Sequence, residues 1–160
     1  MLYLLDANVL IRADEEYYGF DLVPQFWDWL LSQCQAGHIK MPLEIWQEVC
    51  GSRTQLGQWI NDKDVKAALI LTEEADPAIL NDVLDSGYGA NLTDTEIEKI
   101  GQDMFLVAYG LAAPNRTIVT KEVSAPSKQR ANRKVPDVCN TFGQVWIKDF
   151  DLYRTLGFKA

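Results

Sequence analysis

The chain has 160 residues, a formal net charge of -8, 48% apolar and 24% charged residues, and no apolar run long enough to span a bilayer. These bounds fit one globular domain with a substantial core, and they exclude a membrane-spanning chain and attraction to nucleic acid through overall charge. Cys34, Cys50 and Cys139 are odd in number and widely spaced, which argues against a disulfide scaffold or a cysteine zinc site and for small buried hydrophobes in a reducing, cytosolic compartment.

The chain opens with Leu2-Tyr3-Leu4-Leu5, an apolar run interrupted by Asp6 and Asn8. The interruption predicts no signal peptide. Apolar residues without helical periodicity predict a buried parallel strand whose C-terminal end delivers Asp6 to the edge where open α/β sheets place their chemistry. Asp14-Glu15-Glu16 and Gly19 then read as a polar connection, and Pro24 as the start of an amphipathic helix from about Gln25 to Ala36. Phe26, Trp27, Trp29, Leu30, Leu31 and Cys34 cover more than one face of it, as core packing or as a partner surface. A symmetric homodimer through Trp27 and Trp29 is the expected use of such a surface. Gly37 is a predicted helix stop, and His38 to Met41 a second strand ending at Pro42. His38 is the only histidine, which removes histidine zinc sites and Ser-His-Asp triads.

Pro42 heads a helix over Leu43 to Cys50 with Gly51 as its stop. Leu43, Trp46 and Cys50 share one face, flanked by Ile45 and Val49. Glu44 and Glu48 lie one turn apart, as a solvated face or as ligands aimed at the sheet end. A helix is predicted through Gln55 to Ile60, and Ala67 to Leu71 fits helix or strand. Asp76-Pro77 starts a helix through about Leu84, ended by Gly87-Tyr88-Gly89. Thr93-Asp94-Thr95-Glu96 is a capping-box pattern, which explains Glu96 without chemistry. The helix from Asp103 to Ala113 is apolar nearly all round, so Asp103 is an acid at the head of a core helix, where its charge is also favoured electrostatically.

Thr117 to Thr120 is a third strand. The next stretch is the basic part of the chain: Lys121, Lys128, Arg130, Arg133 and Lys134 crowd one segment interrupted only by Glu122, while acid is concentrated between Asp62 and Asp103. Ser124 to Lys134 contains Pro126 and lacks an apolar face, which predicts a loop, either solvated or holding a nucleic-acid backbone. Val135-Pro136-Asp137-Val138-Cys139 resumes apolar character, Gln144 to Ile147 is a final strand, and Asp149 caps a last helix to about Leu156.

Strands near residues 4, 39, 118 and 146 with helices between them predict a single α/β domain, residues 1–160, with a mainly parallel central sheet. Parallel strands end on one edge, so Asp6 and Thr120-Lys121-Glu122 are neighbours there, and the helices bearing Glu44, Glu48 and Asp103 can lower acids onto it. Clustered carboxylates raise one another's pKa unless compensated. A hard divalent cation is the natural compensation, and oxygen ligands without His or Cys select Mg²⁺ or Mn²⁺ over zinc.

Strand-Asp6-x-Asn8, Pro42 followed by Glu48, Asp103 opening an apolar helix and strand-Thr120-x-Glu122 occur in the order found in PIN-domain ribonucleases. The chain resembles that family over nearly its whole length. The resemblance implies a three-layer sandwich and a Mg²⁺- or Mn²⁺-dependent RNA endonuclease, most often the toxin of a toxin-antitoxin pair restrained by a small antitoxin. It implies Asp6, Glu48 and Asp103 as metal ligands, Asn8 as their support and Thr120 as an orienting group. The family usually has Asp at the position of Glu122 and lacks the basic insertion, so this chain looks like a divergent PIN-like branch in which Glu122 and Asp137 are both candidates for the fourth acid. In such a site a metal-activated water attacks the phosphodiester and leaves a 5′-phosphate and a 3′-hydroxyl. Two other readings keep the fold: a catalytically inactive PIN-like module that recruits a protein or RNA, and a phosphohydrolase using Asp6 as nucleophile, which Asn8 disfavours because such enzymes place a second Asp there.

Overall fold

In the computed structural model, which describes residues 1–160, the central strand β1 (Leu2–Leu5) lies between β2 (Ile39–Pro42) and β4 (Arg116–Val119). β3 (Ile70–Leu71) and β5 (Trp146–Ile147) complete the sheet in the order β3-β2-β1-β4-β5, with every pairing parallel. Leu4 faces Lys40 on one side and Ile118 on the other, and Leu5 faces Val119. Leu4, Leu5, Ile118 and Val119 are fully buried, as strands covered on both faces require. The fold is therefore α/β, a parallel sheet flanked by helices in the manner of a PIN-like three-layer sandwich.

Ten helices connect and cover the strands: α1 (Ala7–Arg12), α2 (Pro24–Gln35), α3 (Leu43–Val49), α4 (Gln55–Ile60), α5 (Lys63–Leu69), α6 (Pro77–Asp82), α7 (Asp94–Ile100), α8 (Asp103–Leu111), α9 (Val135–Phe142) and α10 (Asp149–Thr155). One apolar core runs through the molecule from Leu4 to Tyr153. After β1 the chain moves outward through β2 and β3, then returns across β1 to build β4 and β5 on the other side. The sheet consequently has its topological switch point between β1 and β4, where the segments leaving the two strands diverge.

The capping box at Thr93 forms in full: the Glu96 N–H donates to Thr93 Oγ1 at 3.2 Å and the Thr93 N–H to Glu96 Oε1 at 3.1 Å. Ala67 to Leu71 is both alternatives in turn, with α5 running to Leu69 and β3 following at once.

Several expectations are corrected. Asp14-Glu15-Glu16 is not a connection, because α1 continues into a π-helical turn over Ala13–Tyr17. On α3 the core face is carried by Ile45 and Val49, while Leu43 is exposed and Trp46 and Cys50 are half-buried. Asp149 is inside α10, whose cap is Lys148; its carboxylate is buried against Arg12 Nε at 3.4 Å. The aromatic surplus of α2 is spent within the chain. Trp27 stacks on Phe20 at 4.0 Å between ring centroids and meets Trp59 edge-on, while Trp29 packs on Phe26, Tyr153 and Phe158. Trp27 is buried and Trp29 half-buried. No helix is long and apolar enough to cross a membrane.

Candidate active site

Asp6 follows directly on β1 with extended backbone (φ -75°, ψ 151°) and caps α1. Its N–H still donates to Val119 O at 2.9 Å, so the residue is part of the ladder as well as of the helix start. Its side chain is buried. The Thr120 hydroxyl donates to Asp6 Oδ2 at 2.9 Å, and Asn8 Nδ2 donates to the same oxygen at 2.9 Å. Thr120 Oγ1 in turn accepts from Asn8 Nδ2 at 3.3 Å and from the Glu122 N–H at 3.1 Å, while Asn8 Oδ1 accepts from the Lys121 N–H at 3.0 Å. One donor and two lone pairs exhaust a threonine hydroxyl, so Thr120 is fully engaged. Asp6-x-Asn8 and Thr120-x-Glu122 are thus one network closing the switch point. Both side-chain donors fall on Oδ2, which leaves Asp6 Oδ1 free of side-chain partners.

Glu122 after β4 and Glu48 on α3 act on Asp6, and all three act on Asp103 at the first position of α8. Burial pushes the Asp6 carboxyl up to about 7; the Thr120 hydrogen bond opposes the rise, and the Glu122 and Glu48 charges add to it. Burial likewise pushes Asp103 up to about 8, with Asp6, Glu122 and Glu48 reinforcing it and Lys134 opposing it. Glu48 is raised by desolvation as well. The Glu122 carboxylate accepts from the Val135 N–H at 2.8 Å, tying the end of β4 to the head of α9.

The other expected acids go elsewhere. Glu44 accepts from the Tyr109 hydroxyl at 2.7 Å and does not join Glu48. Asp137 is buried in α9, where its oxygens accept from Ser124 Oγ at 2.5 Å and the Ala125 N–H at 2.8 Å; it fastens the loop. Between the two candidates for a fourth acid, Glu122 is the one coupled electrostatically to Asp6 and Asp103.

The basic segment is also sorted by its contacts. Arg130 forks onto Glu96 at 2.6 and 3.0 Å and reaches Ala90 O at 3.2 Å. Arg133 donates to Gly87 O, to Thr141 Oγ1 at 3.0 Å and to Asp137 O at 3.0 Å. Both arginines hold the loop to the body of the protein. Lys134 acts on Asp103, Lys128 is exposed and Lys121 half-buried.

Sequence reasoning passed over Tyr88, taking Gly87-Tyr88-Gly89 only as a helix stop. α6 continues into a π-helical turn, Val83–Tyr88, which buries the Tyr88 ring, and the charges bearing on its hydroxyl are those of Asp103, Glu122, Cys139 and Asp6.

The fit of this site to a divalent cation has two sides. Its donor set is all carboxylate, uncompensated apart from Lys134, which is the chemistry that Mg²⁺ and Mn²⁺ accept. As the side chains lie, however, no three of His, Cys, Asp or Glu form a group that could hold a metal ion. The donors suit the ion, and a cation has to draw them together.

A family model described as a domain of unknown function, DUF4411, matches residues 3–160, and the chain belongs to that family. No curated protein matches the sequence.

Proposed function

We propose that the chain is a metal-dependent endoribonuclease. The observation carrying this reading is the convergence of Asp6, Glu48, Asp103 and Glu122, from four separate parts of the chain, on the switch-point edge of a parallel sheet, with Asp6 and Asp103 pushed up to about 7 and about 8 by burial first and by neighbouring carboxylates second. Acids kept together at such a cost are found at functional sites. Asp6, Glu48, Asp103 and Glu122 would hold Mg²⁺ or Mn²⁺, with Asp137 left to its loop. When bound, the ion supplies a lowered pKa for water and neutralises charge developing on a phosphodiester.

The rest of the work falls to the chain's own groups. Thr120 and Asn8 fix the rotamer of Asp6 by holding Oδ2, which keeps Oδ1 clear of side-chain partners. Glu122 is oriented by the Val135 N–H. Lys121, Lys128 and Lys134 are the cations left to meet an RNA backbone, because Arg130 and Arg133 are committed internally. A toxin role in the cytoplasm, with a small antitoxin as partner, is supported only by the PIN-like pattern of the motifs.

The test is to incubate wild type and Asp6→Asn with Mn²⁺ and a mixed RNA pool. Cleavage by the wild type alone is expected; equal cleavage by both, or none by either at micromolar enzyme, sinks the proposal. A second reading, a catalytically inactive PIN-like module that binds a protein or RNA, is favoured by one observation: the side chains as they stand do not make a ligand group for a metal. Mn²⁺ titration separates the two, since the inactive module has no need to take up the ion.

A further inference from the structure

The Tyr88 hydroxyl is buried and has no hydrogen-bond partner, although the residue is only 4% exposed. Buried hydroxyls are nearly always satisfied, and one left unmet costs about 1–3 kcal/mol. This one lies among the acids, under the influence of Asp103 first, then Glu122, Cys139 and Asp6.

The surroundings hold the ring in that place. Tyr88 ends the π-helical turn, an uncommon conformation often met at functional sites. Gly87 before it packs so tightly that a Cβ there would stand 2.8 Å from Phe142 and 2.9 Å from Val138. Gly87 O is bound by Arg133, and Gly89 lies under Arg130, whose Nη1 would be 3.0 Å from a Cβ. The two arginines of the basic loop therefore clamp both flanks of Tyr88, one through a carbonyl and one through packing. A polar atom kept unmet by this much local structure calls for an explanation in function.

We infer that Tyr88 is a further substrate-binding residue of this site, its O–H donating a hydrogen bond to a phosphate oxygen of the nucleic acid. The inference rests on the nuclease reading above and adds to it a neutral donor within the acid cluster. The carboxylates around it are acceptors only, so what the phenol brings to this cluster is an O–H donor. A phosphate oxygen accepts from such a donor, and its negative charge strengthens the bond.

Tyr88→Phe removes the unbonded oxygen and nothing else, so the variant is expected to fold with an equal or higher melting temperature. Three measurements on wild type and variant decide the matter: Mn²⁺ affinity by calorimetry, affinity for a fluorescent RNA oligonucleotide in Ca²⁺, and cleavage of that oligonucleotide in Mn²⁺. The expected result is unchanged Mn²⁺ affinity with kcat reduced about 10- to 100-fold, the fold-change that corresponds to losing one hydrogen bond to a charged group. Equal cleavage by wild type and Tyr88→Phe overturns the inference and leaves the nuclease reading standing. Loss of Mn²⁺ affinity in parallel with activity also overturns it, because Tyr88 then acts by arranging the acids. A wild type that does not cleave RNA removes the nuclease reading and the inference with it. Should Tyr88→Phe not fold, the wild type carrying ¹³C-labelled tyrosine supplies the answer: the assigned Tyr88 Cζ resonance moves when the oligonucleotide is added in Ca²⁺, and a resonance that stays fixed overturns the inference.

Discussion

The Thr120 hydroxyl donates to Asp6 Oδ2 at 2.9 Å across the switch point of the sheet. The bond joins residues 114 positions apart in sequence and sets the conformation of the central acid. Thr120→Val keeps the shape and removes the hydroxyl, which leaves the Glu122 N–H without its partner and Asp6 Oδ2 with Asn8 Nδ2 as its one remaining side-chain donor. The expected loss is about 1–3 kcal/mol of stability. Because this hydrogen bond is the main influence holding the Asp6 pKa down, its removal also moves proton release from Asp6 to higher pH. Urea denaturation and the pH dependence of Mn²⁺ binding check both effects, and Thr120→Ser is expected to restore most of each.

The raised acids predict a stability profile with a definite sign. Below pH 3.8, the ordinary value for Asp, Asp6 and Asp103 are protonated whether the chain is folded or not and contribute nothing. As pH rises the unfolded chain releases its protons first, so the metal-free fold loses stability progressively up to about 7 for Asp6 and about 8 for Asp103. Glu48 is shifted in the same direction. Glu96, held at about 2 by Arg130, acts only on the acid side of this window. Differential scanning calorimetry of the metal-free protein from pH 5 to pH 8 is expected to show a falling melting temperature, with a shallower fall in Asp6→Asn. Added Mg²⁺ is expected to raise the melting temperature more at pH 8 than at pH 5, since carboxylate ligands must be deprotonated to bind. A profile that is flat or rises over this range contradicts the placement of the acids.

Much of the site was legible because strand ends and acids obey simple rules. Asp6 follows an apolar run, Thr120-x-Glu122 follows another, and parallel strands carry both to the same edge. What could not be read was the occupancy of each polar atom. Glu44 and Glu48 share a helix face by spacing, yet Tyr109 takes the first and the second joins Asp6. Asp137 and Glu122 look alike as acids in apolar surroundings, but Ser124 and Ala125 fill the oxygens of Asp137. Arg130 and Arg133 read as free cations until Glu96 and Gly87 are seen beneath them. Tyr88 carried no signal at all, because an unmet donor is a property of three-dimensional surroundings.

The sorting of the basic loop changes which residues should bind RNA. Lys128 is exposed, so Lys128→Glu is expected to weaken binding of an RNA oligonucleotide and to flatten its salt dependence without moving the melting temperature. Arg133→Glu is expected to lower the melting temperature first, because it breaks three hydrogen bonds that tie the loop to Gly87, Thr141 and Asp137. Fluorescence anisotropy at several salt concentrations, run beside thermal melts, separates the two behaviours. Equal loss of stability in both variants would refute this division of labour.

Gly87 provides a probe of the turn that presents Tyr88. A methyl group there meets Phe142 and Val138 at under 3.0 Å, inside the packed seam between the π-helical turn and α9. Both are side-chain atoms of α9, so these side chains or the seam itself have to give way, and Gly87→Ala is expected to cost about 1–3 kcal/mol. Part of that cost is recovered if the neighbour shrinks. Val138→Ala is destabilising alone, by about 1 kcal/mol or more, yet combined with Gly87→Ala it removes one of the two clashes, so the double variant is expected to be less destabilised than the sum of the singles. A double-mutant cycle in urea measures this coupling directly. Additive costs would place Gly87 away from Val138 and release the turn from α9, whereas a positive coupling fixes the Tyr88 backbone to the helix that also supplies the Val135 N–H to Glu122.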